Sequence, residues 1–138
     1  MRKRDRKALG AYIGRIADEI GLRDWDLRLL HETCDDDCNA QCAIVYGRKL
    51  AYIRVNEDFR GYAPGRIRQT IVHELVHCHF AAADNQVQHD LDDHLGDQTA
   101  QVFFNAFRRQ MEYGVDAMAA ALAPHMPLID WPKGKKGS

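Results

Sequence analysis

Residues 66–82 read RIRQTIVHELVHCHFAA. Its apolar side chains recur every three or four residues, which is the spacing of one face of an α-helix. They are Ile67, Ile71, Leu75, Cys78 and Ala82. Pro64 comes just before, at a position that the first turn of a helix tolerates. We therefore expect a helix from about residue 65 to residue 82.

The predicted helix carries His73, Glu74 and His77 in the pattern HExxH. Side chains four residues apart leave a helix on the same side, one turn apart, so the two imidazoles can share one tetrahedral zinc ion. Glu74 leaves the helix about 100° away from His73, so its carboxylate is expected to reach the water on the metal instead of the metal itself. The ordinary alternative is a helix with two hydrogen-bonded histidines and an exposed glutamate.

The residues before this helix predict one helix and about three strands. Apolar residues at helical spacing predict a helix over about 5–20, and an alternating pattern predicts a short strand over 25–31. Residues 33–39 are polar and indicate a loop. Residues 41–46 and 50–56 are rich in Ile, Val and Tyr and are separated by a short turn, so they predict a β-hairpin.

After the motif helix, residues 84–96 are polar and rich in His and Asp, which suggests a loop or a short irregular helix. A long helix is expected from about Asp97 to Ala123, ended by Pro124. Its predicted apolar stripe includes Phe103, Phe107, Met111, Val115, Met118 and Leu122. Residues 131–138 are expected to form a flexible terminus. Strands segregated from helices indicate an α+β fold with an antiparallel or mixed sheet.

Length and composition limit the class of protein. The chain has 138 residues, which predicts a single domain over 1–138. Its 46% hydrophobic and 28% charged residues exclude wholesale disorder. Nineteen basic and twenty acidic side chains give a net charge of −1, so we expect neither nucleic acid nor a membrane surface as a partner. Neither a signal peptide nor a membrane span is expected, which indicates a cytoplasmic protein with reduced thiols.

A zinc ion that keeps an open position for water needs a third protein ligand. The chain has only five glutamates, and Glu112 is the only one after the motif. Asp116 stands four residues later on the same predicted helix, so the two side chains are about 40° apart around its axis. Glu112 can supply a carboxylate oxygen to the metal, and Asp116 can accept the outer N–H of a ligand histidine. The alternative is an ordinary solvated helical face.

Other residues compete for the role of third ligand. His94, followed soon by Gly96, is the main competitor, and His89 or an aspartate are the others. His79 is two residues past His77 and points to another face of the helix, where a surface or cleft-wall position is expected. The pattern HExxHxxGxxH is excluded because Ala83 occupies the place of its last histidine.

The four cysteines allow two further interpretations. Cys34, Cys38 and Cys42 are spaced C-x3-C-x3-C, so Cys34 and Cys38 with His31 could hold a structural zinc ion, or could form a disulfide. Cys42 falls in a predicted strand and Cys78 on the apolar helix face. The ordinary interpretation of both is a small buried hydrophobic side chain.

HExxH on one helix and Glu-x-x-x-Asp on a following helix resemble the gluzincin branch of the zincin metallopeptidases, over about residues 40–123. The resemblance implies a minimal zincin-like fold with His73, His77 and Glu112 as zinc ligands, Glu74 as general base and Asp116 supporting a ligand histidine. It also implies that the hairpin provides an edge strand for an extended substrate. The chain is similar as well to short zincin-like proteins encoded by bacteriophages. Departures are the long gap before Glu112 and the absence of a second subdomain.

The leading hypothesis is therefore a zinc metallopeptidase that hydrolyses a peptide or protein substrate with a zinc-bound water activated by Glu74. Tyr113, His89 and His94 are candidates for a donor that stabilises the transition state. Two alternatives stay open. One is a catalytically silent, zinc-stabilised module that binds a peptide or partner. The other is a DNA-associated protease similar to the SprT type, with His94 as third ligand.

Overall fold

A computed structural model describes residues 1–35 and 37–134 of the chain. Its α-helices and β-strands follow in the order α1 (Lys3–Glu19), β1 (Asp26–Leu29), β2 (Ala40–Ile44), β3 (Leu50–Val55), α2 (Pro64–His94) and α3 (Asp97–Leu122). Short 3₁₀ helices occupy Glu57–Gly61 and Ala123–His125. The predicted α+β class is confirmed.

The sheet has three strands in the order β1-β3-β2. β1 pairs with β3 in parallel, and β2 pairs with β3 antiparallel with Cys42 opposite Ile53. The sheet is therefore mixed, and the predicted hairpin is confirmed. Because β3 is central, β2 is an edge strand whose outer side pairs with no other strand in the described part of the chain.

The core lies between one face of the sheet and the helices. The apolar face predicted for α2 is confirmed at Ile67, Ile71 and Leu75, which have no exposed surface. It is also confirmed at the buried Cys78, whereas Ala82 is exposed. Buried residues of the other elements pack with it, among them Leu9, Ile13, Ile16, Ala51, Ile53, Val55, Val115 and Ala119. Each α2 side chain on this face contributes roughly 1.5–3 kcal/mol of burial free energy, so this part of α2 is held firmly in place.

The prediction of a loop or a short irregular helix over residues 84–96 is wrong, because α2 continues as a regular helix to His94 and is 31 residues long. No Gly or Pro interrupts the chain between Gly65 and Gly96, so nothing in the backbone ends the helix earlier. The extension is polar because most of its side chains are exposed. Hydrogen bonds between side chains one turn apart, such as that from Gln86 Nε2 to Asp90 Oδ1 at 3.0 Å, support it instead of core packing.

The stripe predicted for α3 is also partly wrong. Phe103 and Met118 are 58% and 41% exposed, whereas Val115 is buried as expected. The fully buried positions of α3 are Ala100, Phe104, Val115 and Ala119. Small side chains at two of these positions let α3 pack closely on its neighbours, and the larger apolar side chains flank that contact.

The segment after α3 packs against α1. The Tyr12 hydroxyl donates a hydrogen bond to the Pro127 carbonyl at 2.8 Å, and Arg4 Nη1 donates to the Lys133 carbonyl at 3.3 Å. Residues 131–134 therefore lie beside α1, while 135–138 lie outside the described residues, and the flexible terminus stays a prediction. None of the described helices combines the length and apolar character needed to cross a membrane.

Candidate metal centre

His73 and His77 lie one turn apart on α2, with their ring centroids 5.1 Å apart. Buried residues on both sides of them, including Val72 and Val76, fix the orientation of this part of the helix. The imidazole side chains are 23% and 24% exposed, so they stand at the border between core and solvent. The helical spacing of HExxH therefore produces the predicted pair.

Glu112 reaches this pair from α3. Its Oε1 is 3.0 Å from His77 Nε2, and its Oε2 is 3.4 Å from His73 Nε2. One possible ligand atom from each of the three residues lies within 4.8 Å of the other two. Val115 and Ala119, both buried, anchor α3 beside α2. Glu112 rather than His94 is thus the residue that the fold brings to the histidines.

Asp116 lies one turn beyond Glu112, and its Oδ1 is 2.9 Å from His73 Nδ1. A carboxylate at this distance accepts the Nδ1–H and leaves the Nε2 lone pair free on the side of Glu112. Asp116 therefore selects the tautomer of His73 that a metal ion requires. This is the position that the sequence predicted for it.

The donor set fits a zinc ion. Two imidazole nitrogens and a carboxylate oxygen are ordinary zinc ligands, and they leave a fourth tetrahedral position open. Bonds of about 2.0–2.2 Å in a tetrahedron place neighbouring donors roughly 3.3–3.5 Å apart. The separation of 3.4 Å between Glu112 Oε2 and His73 Nε2 falls in this range, and that of 3.0 Å between Glu112 Oε1 and His77 Nε2 is shorter. Zinc binding itself stays a prediction.

The competing ligands lie elsewhere. His94 ends α2, 17 residues beyond His77, which is about 25 Å along a helix. His89 is 12 residues beyond His77, about 18 Å along the helix, and its ring lies 5.9 Å from that of Tyr46. His79 contacts the Ile20 carbonyl through Nε2 at 2.6 Å, away from the metal centre.

Glu74 lies beside the ligands without joining them. Burial in a water-poor position raises the pKa of its carboxyl group to about 7, and the negative charge of Glu112 adds to this. The backbone N–H of Cys42 donates to the carboxylate and lowers the pKa in part. Burial also lowers the pKa of His77 and so favours the neutral, metal-binding imidazole.

The outer edge of β2 forms one wall of the site. Val45 N–H bonds to the Leu50 carbonyl at 2.9 Å, and hydrogen bonds to the neighbouring strand alternate along an antiparallel pair. Residues at the intervening positions therefore direct their backbone N–H and C=O groups away from β3. They are Ala40, Cys42 and Ile44. The contact of Cys42 N–H with Glu74 is consistent with this direction.

A cleft of about 480 Å³ lies between this edge, α2 and α3, and the three candidate ligands and Glu74 line it. Sequence analysis missed several of its polar residues, namely Asp84, Asn85, Gln88 and Arg108. Helical spacing could have found them: Arg108 precedes Glu112 by one turn, and Gln88 follows His77 by three turns. The predicted donors Tyr113, His89 and His94 do not line this cleft, and Tyr113 is 72% exposed.

The cysteines form neither a disulfide nor a second metal cluster within the described residues. The Cys34 thiol donates to the Cys38 carbonyl at 3.2 Å, and the Cys38 thiol donates to the Ala40 carbonyl at 2.8 Å. Cys42 and Cys78 pack together with their sulfur atoms 3.9 Å apart. The ordinary interpretation of Cys42 and Cys78 as small packing residues therefore agrees with the structure.

Comparison of the chain with family models, with curated proteins and with solved structures finds no match.

Proposed function

We propose that the protein is a zinc metallopeptidase that hydrolyses peptide bonds. The observation that carries the proposal is the convergence of His73, His77 and Glu112 from two helices, with Glu74 beside them in an open cleft. The resemblance to the gluzincins, as an arrangement of HExxH and Glu-x-x-x-Asp on successive helices, supports the same activity. A cytoplasmic location belongs to the proposal and agrees with the four free thiols.

His73, His77 and Glu112 would hold the zinc ion, and Asp116 would keep His73 in the ligating tautomer. Zinc in such a site would supply Lewis-acid polarisation of a carbonyl and would lower the pKa of water to about 7. The neutral state of His77, favoured by its burial, suits ligation. Three of these residues would therefore bind the zinc ion, and Asp116 would orient the His73 ring.

Glu74 is the proposed general base and acid. It lies next to the ligands, lines the cleft and makes no ion pair with any described residue. A carboxylate so placed can accept a proton from the attacking water and pass it to the leaving amine. Burial raises the pKa of the Glu74 carboxyl group to about 7, and a pKa near neutral pH suits a group that first accepts a proton and then donates it.

The substrate would lie along β2. On the outer edge of this strand the Ala40 carbonyl accepts from the Cys38 thiol, and the Cys42 N–H faces Glu74. The other backbone groups of Ala40, Cys42 and Ile44 on the outer side of β2 would pair with an extended peptide. Phe80, Phe104 and Met111 line the same cleft and provide apolar contacts for side chains. A peptide rather than a compact small molecule fits this arrangement.

The central test is Glu74→Gln, which keeps the shape of the side chain and removes its basicity. We expect the variant to bind about one zinc ion, as the wild type does, and to lose cleavage by at least about a hundredfold. Zinc content by mass spectrometry and cleavage of a diverse peptide mixture provide the two measurements.

Glu57→Gln is the matched control, because Glu57 is exposed and belongs to the 3₁₀ helix after β3. It should retain both zinc and cleavage. Equal turnover by Glu74→Gln and the wild type would refute the proposed base. A wild type that binds zinc but cleaves no peptide would instead favour a zinc-stabilised binding module.

A DNA-associated protease that uses His94 as a ligand has less support. His94 is exposed at the end of α2 and does not share the cluster of His73 and His77. If His94→Ala lost zinc and Glu112→Ala retained it, this alternative would replace the proposed ligand set.

A further inference from the structure

Cationic side chains are segregated along this chain, although its net charge is only −1. Five of the first seven residues are Arg or Lys, whereas residues 69–107 contain neither. The balanced total, which led to the expectation of no nucleic-acid partner, therefore hides a strongly basic region. Such a region creates a local field whatever the net charge of the molecule.

The fold adds cations from two other parts of the chain to this region. Arg4 Nη1 donates to the Lys133 carbonyl at 3.3 Å, which places the C-terminal segment beside the start of α1. Arg60 Nε lies 3.8 Å from Asp5 Oδ2, and its guanidinium lies 4.5 Å from the Trp131 ring. The resulting terminal basic surface consists of Arg2, Lys3, Arg4, Lys7, Arg60 and Lys133.

Asp5 is the acidic side chain that contacts this surface, and it faces Arg4 and Arg60 rather than the two lysines. Asp5 is only 5% exposed and lies between Arg4 and Arg60, at 3.7 and 3.8 Å. Lys3 and Lys7 are exposed and one turn apart, and no carboxylate in the described chain lies within salt-bridge distance of either. These lysines are available to a ligand.

The cations at the start of α1 are unfavourably placed with respect to the helix dipole. The first turn of a helix carries a partial positive charge and unpaired N–H groups, which favour acidic side chains or a capping oxygen. In α1 the N-cap residue is Arg2, no side chain caps the helix, Lys3 and Arg4 begin it, and Asp5 is the one acidic side chain of the first turn. A bound anion would relieve this unfavourable arrangement, and local conflicts of this kind are expected at functional sites.

We propose that the terminal basic surface binds the phosphodiester backbone of nucleic acid without reading its sequence. Clustered Arg and Lys side chains bind phosphates in this way, by releasing condensed counterions. An anionic bilayer would favour exposed apolar side chains among the cations. Within residues 1–7 only Met1 is apolar, and it is 39% exposed. The proposal is independent of the peptidase activity.

The test compares the full-length wild type with the triple variant Arg2→Glu/Lys3→Glu/Lys7→Glu. Binding of labelled single-stranded and duplex DNA, and of RNA of the same length, is followed by fluorescence anisotropy across a salt series. The wild type should bind at low salt, with affinity that falls as salt rises. The variant should bind at least about tenfold more weakly. For three lost contacts its log–log salt slope should be shallower by about 2.7 on duplex DNA and by about 2.1 on single strands.

The matched control is Arg23→Glu/Arg48→Glu/Arg109→Glu, which changes the net charge equally at three exposed positions elsewhere. It should retain affinity within about twofold if position matters more than total charge. Acidic residues at a helix N-terminus are favourable, so the first variant should melt no lower than the wild type. Equal losses in both variants, no binding by the wild type at low salt, or binding to anionic phospholipid vesicles alone would overturn the proposal.

Discussion

At the scale of single residues, the site depends on where each side chain directs one atom. His73 directs Nε2 to Glu112 and Nδ1 to Asp116, so both of its nitrogens have a defined partner. Glu74, the next residue, points elsewhere and stays out of the cluster. Adjacent residues on a helix differ by about 100° in direction, and this rotation separates the proposed ligand His73 from the proposed base Glu74.

Asp116→Ala should weaken zinc binding by roughly 10–100-fold, because the tautomer and orientation of His73 are then no longer fixed. Competition with a chromophoric chelator measures the change in Kd. Asp116 is a surface residue, with its side chain 65% exposed, so the fold should be unaffected.

Asp130→Ala serves as the control for loss of one exposed carboxylate. It should leave the Kd for zinc unchanged. If both variants bound zinc as the wild type does, the His73–Asp116 contact would have no role in ligation.

At the scale of elements, the orientation of α3 about its axis decides whether Glu112 meets α2. The helix buries Val115 and Ala119 and exposes Phe103 and Met118, although hydrophobicity alone favoured burying the larger side chains. Close contact between helices needs small residues at the interface, and alanines allow it. The rotation of α3 that results directs Glu112 to the cleft.

Val115→Ala should lower the free energy of unfolding by roughly 1–3 kcal/mol, because Val115 is fully buried and its truncation leaves a cavity. Met118→Ala should change it by less than about 0.5 kcal/mol, since Met118 is 41% exposed. Urea denaturation of metal-free protein measures both values. A larger loss of unfolding free energy in Met118→Ala than in Val115→Ala would mean that the α3 face carrying Met118, and not the observed one, faces the core.

At the scale of the whole molecule, α2 and α3 are adjacent in the chain, and only the Leu95-Gly96 link separates them. The proposed ligands nevertheless come from the middle of each helix, so the helices must run side by side before the site exists. A zinc ion bound there would join the two helices and stabilise the folded state only.

Chelation should therefore destabilise the wild type. Zinc at about 100 times its Kd would add about 2.7 kcal/mol to the free energy of unfolding, and EDTA would remove this. Glu112→Ala should melt at nearly the same temperature in zinc as in EDTA, whereas His94→Ala should respond as the wild type does. Thermal melts followed by circular dichroism in both buffers make the comparison. A zinc-insensitive wild type would contradict the metal site.

Much of this protein can be predicted from local sequence signals. The periodicity around His73 and His77 fixes a helix and places both imidazoles on one side, and the Ile- and Val-rich segments around the turn at Gly47 fix the hairpin. The spacing of Glu112 and Asp116 likewise follows from a single helix. These predictions succeed because the causes act within about one or two turns of chain.

Other features needed the tertiary structure. A polar segment without an apolar stripe fits a loop and an exposed helix alike, so the sequence does not predict the continuation of α2 beyond Ala82. Only the fold shows that it is a helix with most side chains exposed. The choice of Glu112 over His94 depends on where α3 crosses α2, and the raised pKa of Glu74 depends on burial by other elements. The approach of Lys133 to Arg4 joins opposite ends of the chain. Sequence therefore determined which side chains are available, and long-range packing decided which of them meet, because burial and distance belong to the folded chain alone.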